Sequence, residues 1–417
     1  MKYSGTDQPI RVMMIVASLP PDKVGGAETQ ALRLGKELVN QNVSTWMVTP
    51  GKKNYNGNGK IDQLTVSRPY SFLSFLFDVM SILKRKTKEK QVQIEYDDKS
   101  EITNRIQTKV SWPTLLYMRI FYWNCILFIR KQIIAVDIIH AHTMEWSAIV
   151  AVKLGKKFGK PVLIKDSTMN GFESLARFPN GKQLQDEIRN YAYFIAMTHE
   201  IERNFEREGI KRNRFFRVPN GIKVQKRPIR TENEVEGKKV LFVGNLYQQP
   251  AKGIDILLKA WKMVVNELPS VNLILVGDGA FKVYEKYVED LGIKDRVQFL
   301  GKRDDIDTLF SKACLFVLPS RREGMSNALL EAMLNGVPCI ATNISGNQDI
   351  IVDGVNGLLV PPSDVAALSA AIVRLLRHPE LSEAMGKEGR ETILRNFDIA
   401  QVAKKYRMVY NQLLNRE

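Results

Sequence analysis

Cys314 to Thr342 reads CLFVLPSRREGMSNALLEAMLNGVPCIAT. Five apolar residues, Cys314 to Leu318, end at Pro319; Ser320 to Gly324 form a polar turn, and Ser326 to Leu334 has the composition and spacing of a buried helix. The stretch predicts strand, loop, helix and strand in succession. Glu323 sits just before the helix and Glu331 within it. A rise of about 1.5 Å and a turn of about 100° per residue put the two carboxylates roughly 12 Å apart along the axis, offset by roughly 80°. So placed, they could face one extended ligand together.

That separation argues against a hydrolase, because the paired carboxylates of glycoside hydrolysis lie about 5 to 9.5 Å apart across a single bond. One carboxylate instead falls to each end of a longer molecule, a sugar at one end and a ribose at the other. Between them, the backbone N–H groups of the helix start, around Met325, Ser326 and Asn327, suit a diphosphate together with the helix dipole. Sugar, diphosphate and ribose make a nucleotide sugar.

These residues resemble glycosyltransferase family 4, whose signature sets Pro-Ser-x-x-Glu-Gly ahead of a Leu-Leu-Glu-Ala helix. The chain has Pro319-Ser320-Arg321-Arg322-Glu323-Gly324, then Leu329-Leu330-Glu331-Ala332 and Gly336-Val337-Pro338. The resemblance implies α/β architecture with two Rossmann-like, doubly wound domains facing across a cleft, the GT-B arrangement.

The 417 residues leave room for two domains, each with its own core. Up to Ile222 there are 34 Lys and Arg against 21 Asp and Glu, and afterwards 27 against 24, so +13 of the net +16 belongs to the first half. Such asymmetry points to an anionic partner for that half. Nucleic acid would explain the charge and nothing else, which favours an anionic membrane surface. Cys125, Cys314 and Cys339 are too few and scattered for a disulfide framework and have no metal-ligand spacing, which suits a reducing compartment.

From the N-terminus, Ile10 to Leu19 reads as a buried parallel strand and Ala27 to Asn40 as an amphipathic helix, with Gly25-Gly26-Ala27-Glu28 between them. A glycine pair lets backbone approach a ligand where a helix start offers N–H groups. By resemblance this turn meets the donor sugar and diphosphate. Phe72 to Leu83 is apolar almost all round and is followed by Lys84, Arg85, Lys86, Lys88 and Lys90; a second apolar stretch, Trp112 to Ile129, is rich in aromatics. Neither reaches the roughly 20 uninterrupted apolar residues of a spanning helix. They read either as interfacial helices or as a thickened core. Asp137 to His142 is a strand ending in two histidines, and the resemblance puts His142 in the donor-sugar pocket. Pro161 to Lys165 is the next strand, with Asp166, Ser167 and Thr168 at its end assigned to the acceptor side.

Pro219-Asn220-Gly221-Ile222 resembles the family's turn out of the first domain, and a second α/β unit begins at Lys239. Lys252-Gly253 resembles the Lys-Gly whose lysine contacts the donor diphosphate as a point charge. Two departures stand out. Gly244-Asn245-Leu246 replaces the common Gly-Arg-Leu, removing that lysine's usual arginine partner and leaving Arg321 or Arg322 as substitutes; Asp349 stands where a glutamate is common. Gly277-Asp278-Gly279 fails as a dinucleotide fingerprint, because Lys282 occupies the third glycine's place.

The expected organisation is an acceptor-side domain over 1–222 with a basic and apolar insertion near 70–130, a nucleotide-sugar domain over 223–397, and a helix over 398–417 crossing back. The resemblance implies a retaining, metal-independent glycosyltransferase with Glu323 and His142 in catalysis. Gly25, Gly26, Asn245, Lys252, Gly324, Met325, Ser326, Asn327 and Glu331 would bind the donor, a UDP-sugar by preference. The acceptor would be a lipid-linked saccharide of cell-surface polysaccharide synthesis, met at the cytoplasmic face of a membrane; no cofactor is expected beyond the donor substrate. Two rivals use the same residues: a sugar-nucleotide epimerase, needing no acceptor, and a nucleotide-sugar-binding protein without turnover.

Overall fold

Val12 to Ile15 are shielded from solvent on both sides, which only a strand in the middle of a covered parallel sheet achieves. In the computed structural model, which describes residues 9–22, 25–52, 57–74, 110–167, 171–224, 238–246, 251–279 and 281–415, this strand is β1, Ile10–Ile15. The chain forms two compact units. The first comprises Met1–Ala196, Asn204–Phe216 and Ala403–Glu417, and the second Met197–Arg203 and Arg217–Val402.

The first unit holds eight strands: β1, β2 (Val43–Val48), β3 (Gly57–Ile61), β4 (Leu64–Arg68), β5 (Ile138–Ala141), β6 (Val162–Asp166), β7 (Tyr193–Ala196) and β8 (Phe215–Arg217). Their order is β3-β4-β2-β1-β5-β6-β7-β8. β1 pairs in parallel with β2 on one side and β5 on the other, so the winding reverses between β1 and β5. β3 is antiparallel to β4. That hairpin is absent from the sequence reading, since Gly57, Asn58 and Gly59 have little strand propensity; pairing with β4 fixes this exposed edge.

Helix Gly26–Asn40 follows β1, burying Ala31, Leu34 and Leu38. Trp112–Phe128 forms one helix, and Ile129 breaks it from a short helix, Arg130–Ala135. The longer helix combines both readings of this apolar stretch. Met118, Ile120, Phe121 and Cys125 join the core, whereas Trp112, Trp123, Leu127 and Phe128 are exposed. Of the Phe72 to Lys90 stretch, residues 75–90 lie outside the described residues; Phe72 and Leu73 are exposed, and Ser74 is buried against Asn124, whose amide donates to its Oγ at 2.8 Å. Among the described residues no helix is long and apolar enough to cross a membrane.

The second unit holds six strands: β9 (Lys239–Val243), β10 (Asn272–Val276), β11 (Val297–Gly301), β12 (Leu315–Leu318), β13 (Cys339–Thr342) and β14 (Leu358–Val360). Their order, β11-β10-β9-β12-β13-β14, reverses winding between β9 and β12. Strand propensity and crossovers act together here. Apolar runs such as VLFV and LFVL suit strands covered on both faces, and the helices between successive strands, Ile254–Glu267 for example, supply the covers. Trp261 lies fully buried in that helix with its indole N–H bonded to the Arg296 carbonyl at 3.0 Å. Pro219 to Ile222 pack within this unit, where Ile222 bridges Asp398.

Candidate functional site

Open parallel sheets bind ligands outside the carboxyl ends of their strands, where the winding reverses. In the second unit that point lies between β9 and β12, and the loops leaving both strands carry the residues singled out above. Asn245, exposed, follows β9; Lys252 follows residues 247–250, which lie outside the described residues; Pro319 to Ser326 follow β12. Gly253 adopts a φ of +63°, and a Cβ there would fall 2.0 Å from the Pro319 carbonyl oxygen. Only glycine lets the Lys252 turn lie against the Glu323 turn.

Across that contact Lys252 Nζ meets Glu323 Oε1 at 2.5 Å, with side-chain exposures of 16% and 11%. Ser320 Oγ donates to the same oxygen at 2.8 Å. Both bonds fall on Oε1, and none is made to Oε2 among the described residues. Ser320 is itself buried, and its carbonyl accepts from Thr342 Oγ1 at 2.5 Å, tying the turn to the end of β13. Behind it, a Cβ on Gly346 would lie 2.0 Å from the Gly324 carbonyl oxygen, so glycine is required for that close approach too.

The helix after the turn runs Asn327–Leu334, with Ser326 outside it as the N-cap. Ser326 Oγ accepts the Leu329 N–H at 3.3 Å, which assigns one first-turn donor to the cap. Asn220, 5% exposed, steadies the same point: its amide donates to the Met325 carbonyl at 3.3 Å and to Asn327 Oδ1 at 3.5 Å. The sequence reading gave Asn220 only a linker turn, since nothing local marks a contact 105 residues away. Glu331 is half-buried, in the helix's second turn. Together the second unit gathers Lys252, Glu323, Gly324, Met325, Ser326 and Asn327 at one strand-end site.

Arg321 does not replace the missing arginine. Its guanidinium grips Asp255 with bonds of 2.8 and 2.6 Å, and its Nε donates to Ser363 Oγ at 3.1 Å. Of the two substitutes named from sequence, the exposed Arg322 is left. Asp349 is likewise engaged, accepting the backbone N–H of His199 at 3.2 Å and its Nδ1 at 2.5 Å.

In the first unit the winding reverses between β1 and β5, and Gly25, Gly26 and His142 follow those two strands. Gly25 caps helix Gly26–Asn40; its N–H donates to Glu28 Oε2 at 3.1 Å, and both glycines are exposed. His142 is 2% exposed, and neither ring nitrogen has a hydrogen-bond partner among the described residues. Burial, reinforced by His140 and Lys165, pushes its proton affinity well below the ordinary histidine range, so the ring is neutral and offers one donor and one acceptor. Lys165, missed as a site residue, is buried at the end of β6, and desolvation pushes its pKa down to about 7. Its signal was a lysine inside the apolar strand VLIKD. Asp166, also buried, accepts the Gly171 N–H at 3.2 Å and so anchors helix Gly171–Ala176; Ser167 is half-buried, and Thr168 lies outside the described residues.

Two family models match the chain. Residues 24–226 match one described as Glycosyltransferase Family 4, and 237–378 match one described as Glycosyl transferases group 1. Over 180 residues the chain is 33% identical to N-acetyl-alpha-D-glucosaminyl L-malate synthase of Bacillus anthracis, covering 43% of this chain and 47% of that protein. Over 208 residues it is 31% identical to UDP-Gal:alpha-D-GlcNAc-diphosphoundecaprenol alpha-1,3-galactosyltransferase of Escherichia coli, covering 46% of this chain and 53% of that one. The chain thus spans about half the length of these curated relatives. Sucrose-phosphate synthase from Thermosynechococcus elongatus shares the fold, with a TM-score of 0.74 at 21% identity over 98% of this chain and 100% of that one. The fold class is that of the GT-B glycosyltransferases.

Proposed function

Because the chain belongs to glycosyltransferase family 4, we propose that it moves a sugar from a nucleotide-sugar donor, a UDP-sugar by preference, to a lipid-linked saccharide, with retained anomeric configuration and without a metal ion. The observation that carries this reading is the Lys252–Glu323 pair at the strand-end site, with one carboxylate oxygen left for a ligand. Glu323 holds hydroxyls of the donor sugar, Glu331 the ribose, and His142 supplies a neutral donor and acceptor to a sugar hydroxyl. In the reaction the bond from the sugar's anomeric carbon to the diphosphate oxygen breaks, the acceptor oxygen bonds that carbon, and the acceptor's proton passes to the departing diphosphate. Negative charge grows on the departing diphosphate. Lys252, with three N–H donors, and the amides at the start of helix Asn327–Leu334 are placed to stabilise it. Retention comes from the family resemblance.

A lipid-linked acceptor is supported by the Escherichia coli relative, a galactosyltransferase named for a diphosphoundecaprenol-linked acceptor, and by the first unit's surface. Trp112, Trp123, Leu127, Phe128 and Ile134 are exposed on two successive helices beside exposed Arg119, Arg130 and Lys131. Aromatic and aliphatic side chains next to cations suit the boundary of an anionic membrane. To test the function, the purified chain is incubated with a panel of UDP-sugars and an N-acetylglucosamine linked through diphosphate to undecaprenol. Acceptor-dependent UDP release, with product anomeric configuration matching the donor by NMR, is expected; a donor converted without acceptor, or bound and never turned over, would overturn the reading.

A further inference from the structure

His140 lies in β5 and His142 directly follows it. Their rings stack with centroids 4.3 Å apart and planes inclined by 29°. His140 is wholly buried, and its Nδ1 shares a 2.8 Å hydrogen bond with the hydroxyl of Tyr410, on helix Ile399–Leu414. Tyr406, one turn earlier, lies with its ring 5.5 Å from that of His140. Both tyrosines are fully buried. Thus two segments distant in sequence place two histidines and two tyrosines beside the end of β5, and Lys165 from β6, a third, adds a cation close enough to oppose protonation of either histidine.

We propose that Tyr410 and His140 are positioning residues for His142: the Tyr410 hydroxyl fixes the tilt of the His140 ring, and His140, stacked on His142, fixes the ring assigned to the sugar. The inference rests on the assignment of His142 to the substrate. Burial leaves this cluster uncharged where it can: His140 is pushed down to about 3, and Tyr410 well above the ordinary phenol range, so the tyrosine keeps its proton and the imidazole stays neutral. A neutral imidazole has one N–H and one bare nitrogen, and a hydroxyl can accept from the first or donate to the second, so the bond at Nδ1 holds the ring's angle in either tautomer. Without that partner the His140 ring can rock, and the ring stacked on it moves with it. The coupling brings the C-terminal helix into the control of a side chain some 270 residues earlier in the chain.

The experiment uses the full chain with 15N-labelled histidine, whose four side chains can be assigned by single substitution. Tyr410→Phe removes the hydroxyl and keeps the ring. Long-range 1H–15N spectra at pH 7 are expected to show the His140 Nδ1 resonance shifted and the His142 ring resonances displaced with it. With UDP-glucose and UDP-N-acetylglucosamine as donors and the undecaprenol-diphosphate-linked N-acetylglucosamine as acceptor, kcat for acceptor-dependent UDP release is expected to fall about tenfold to a hundredfold while donor KM stays within about twofold. His140→Asn, whose amide can take the place of Nδ1, is expected to retain more activity than His140→Leu at matched folded fraction. His142 resonances unmoved by Tyr410→Phe would overturn the proposal, as would equal losses in His140→Asn and His140→Leu. If the wild-type chain turns over no sugar nucleotide, the functional reading fails while the spectra still decide the positioning.

Discussion

The two units place their candidate residues at the same topological point and make them of opposite chemistry. In the second, a lysine and a carboxylate 2.5 Å apart neutralise each other in a pair largely shielded from water. In the first, His140, His142 and Lys165 lie buried, and desolvation drives them toward their uncharged forms. An ion pair keeps its charges because each partner stabilises the other, whereas desolvation that outweighs such stabilisation favours the neutral form of a base. Charge is therefore kept in the unit assigned the diphosphate and suppressed in the unit assigned a sugar's hydroxyls.

Four experiments test this contrast. Glu323→Gln should have the largest effect, lowering transfer by about 10²–10³ because it removes the charge on the group assigned to the reacting sugar. Its melting temperature should stay within about 4 °C of wild type, since Gln keeps the volume and an oxygen for Ser320; turnover within a few fold of wild type would remove Glu323 from the mechanism.

On the first unit's surface, replacing Trp123, Leu127 and Phe128 together with serine should weaken binding to vesicles containing about one-third anionic lipid by at least tenfold, given roughly 1.5–3 kcal/mol for each apolar side chain withdrawn from water. Donor binding should be unchanged. Equal sedimentation of the variant and wild type with those vesicles would show that this face does not meet lipid.

Lys165→Met tests the suppressed charge. Desolvation lowers the folded-state pKa to about 7, below its ordinary 10.5, so between these values the unfolded chain binds more protons than the folded one. The lysine's penalty is full below pH 7 and fades as pH rises toward 10.5. The variant should therefore melt higher than wild type by about 5 °C at pH 6, with the gap closing by pH 10. A pH-independent gap would mean that packing, and not charge, separates the two proteins. The smallest expected effect is that of EDTA. With Lys252 and helix amides assigned the diphosphate, chelation should leave transfer within about twofold, and a loss restored by magnesium or manganese would reassign the leaving group.

Some of this was legible in the chain because the physics is local. Pro319 to Gly324 leads from a buried strand into a helix within a few residues, so apolar run, breaker and cap fix both the unit and the place of Glu323. The same holds for Gly25 before its helix and for His142 at the end of β5. Other features depended on partners far along the chain. The hairpin of β3 and β4 forms on glycines that favour no strand until β4 offers its edge. Arg321 looked available for a phosphate until Asp255 was found beside it. Asn220 reaches Met325, and Tyr410 reaches His140, across separations at which sequence spacing carries no information about contact. By itself the sequence determined two parallel α/β units and the turn that carries Glu323, because hydrophobic period and backbone capping act over a few residues. Only the tertiary structure decided which charges are paired and which are suppressed, because ion pairing and desolvation depend on what the rest of the chain brings within a few ångströms.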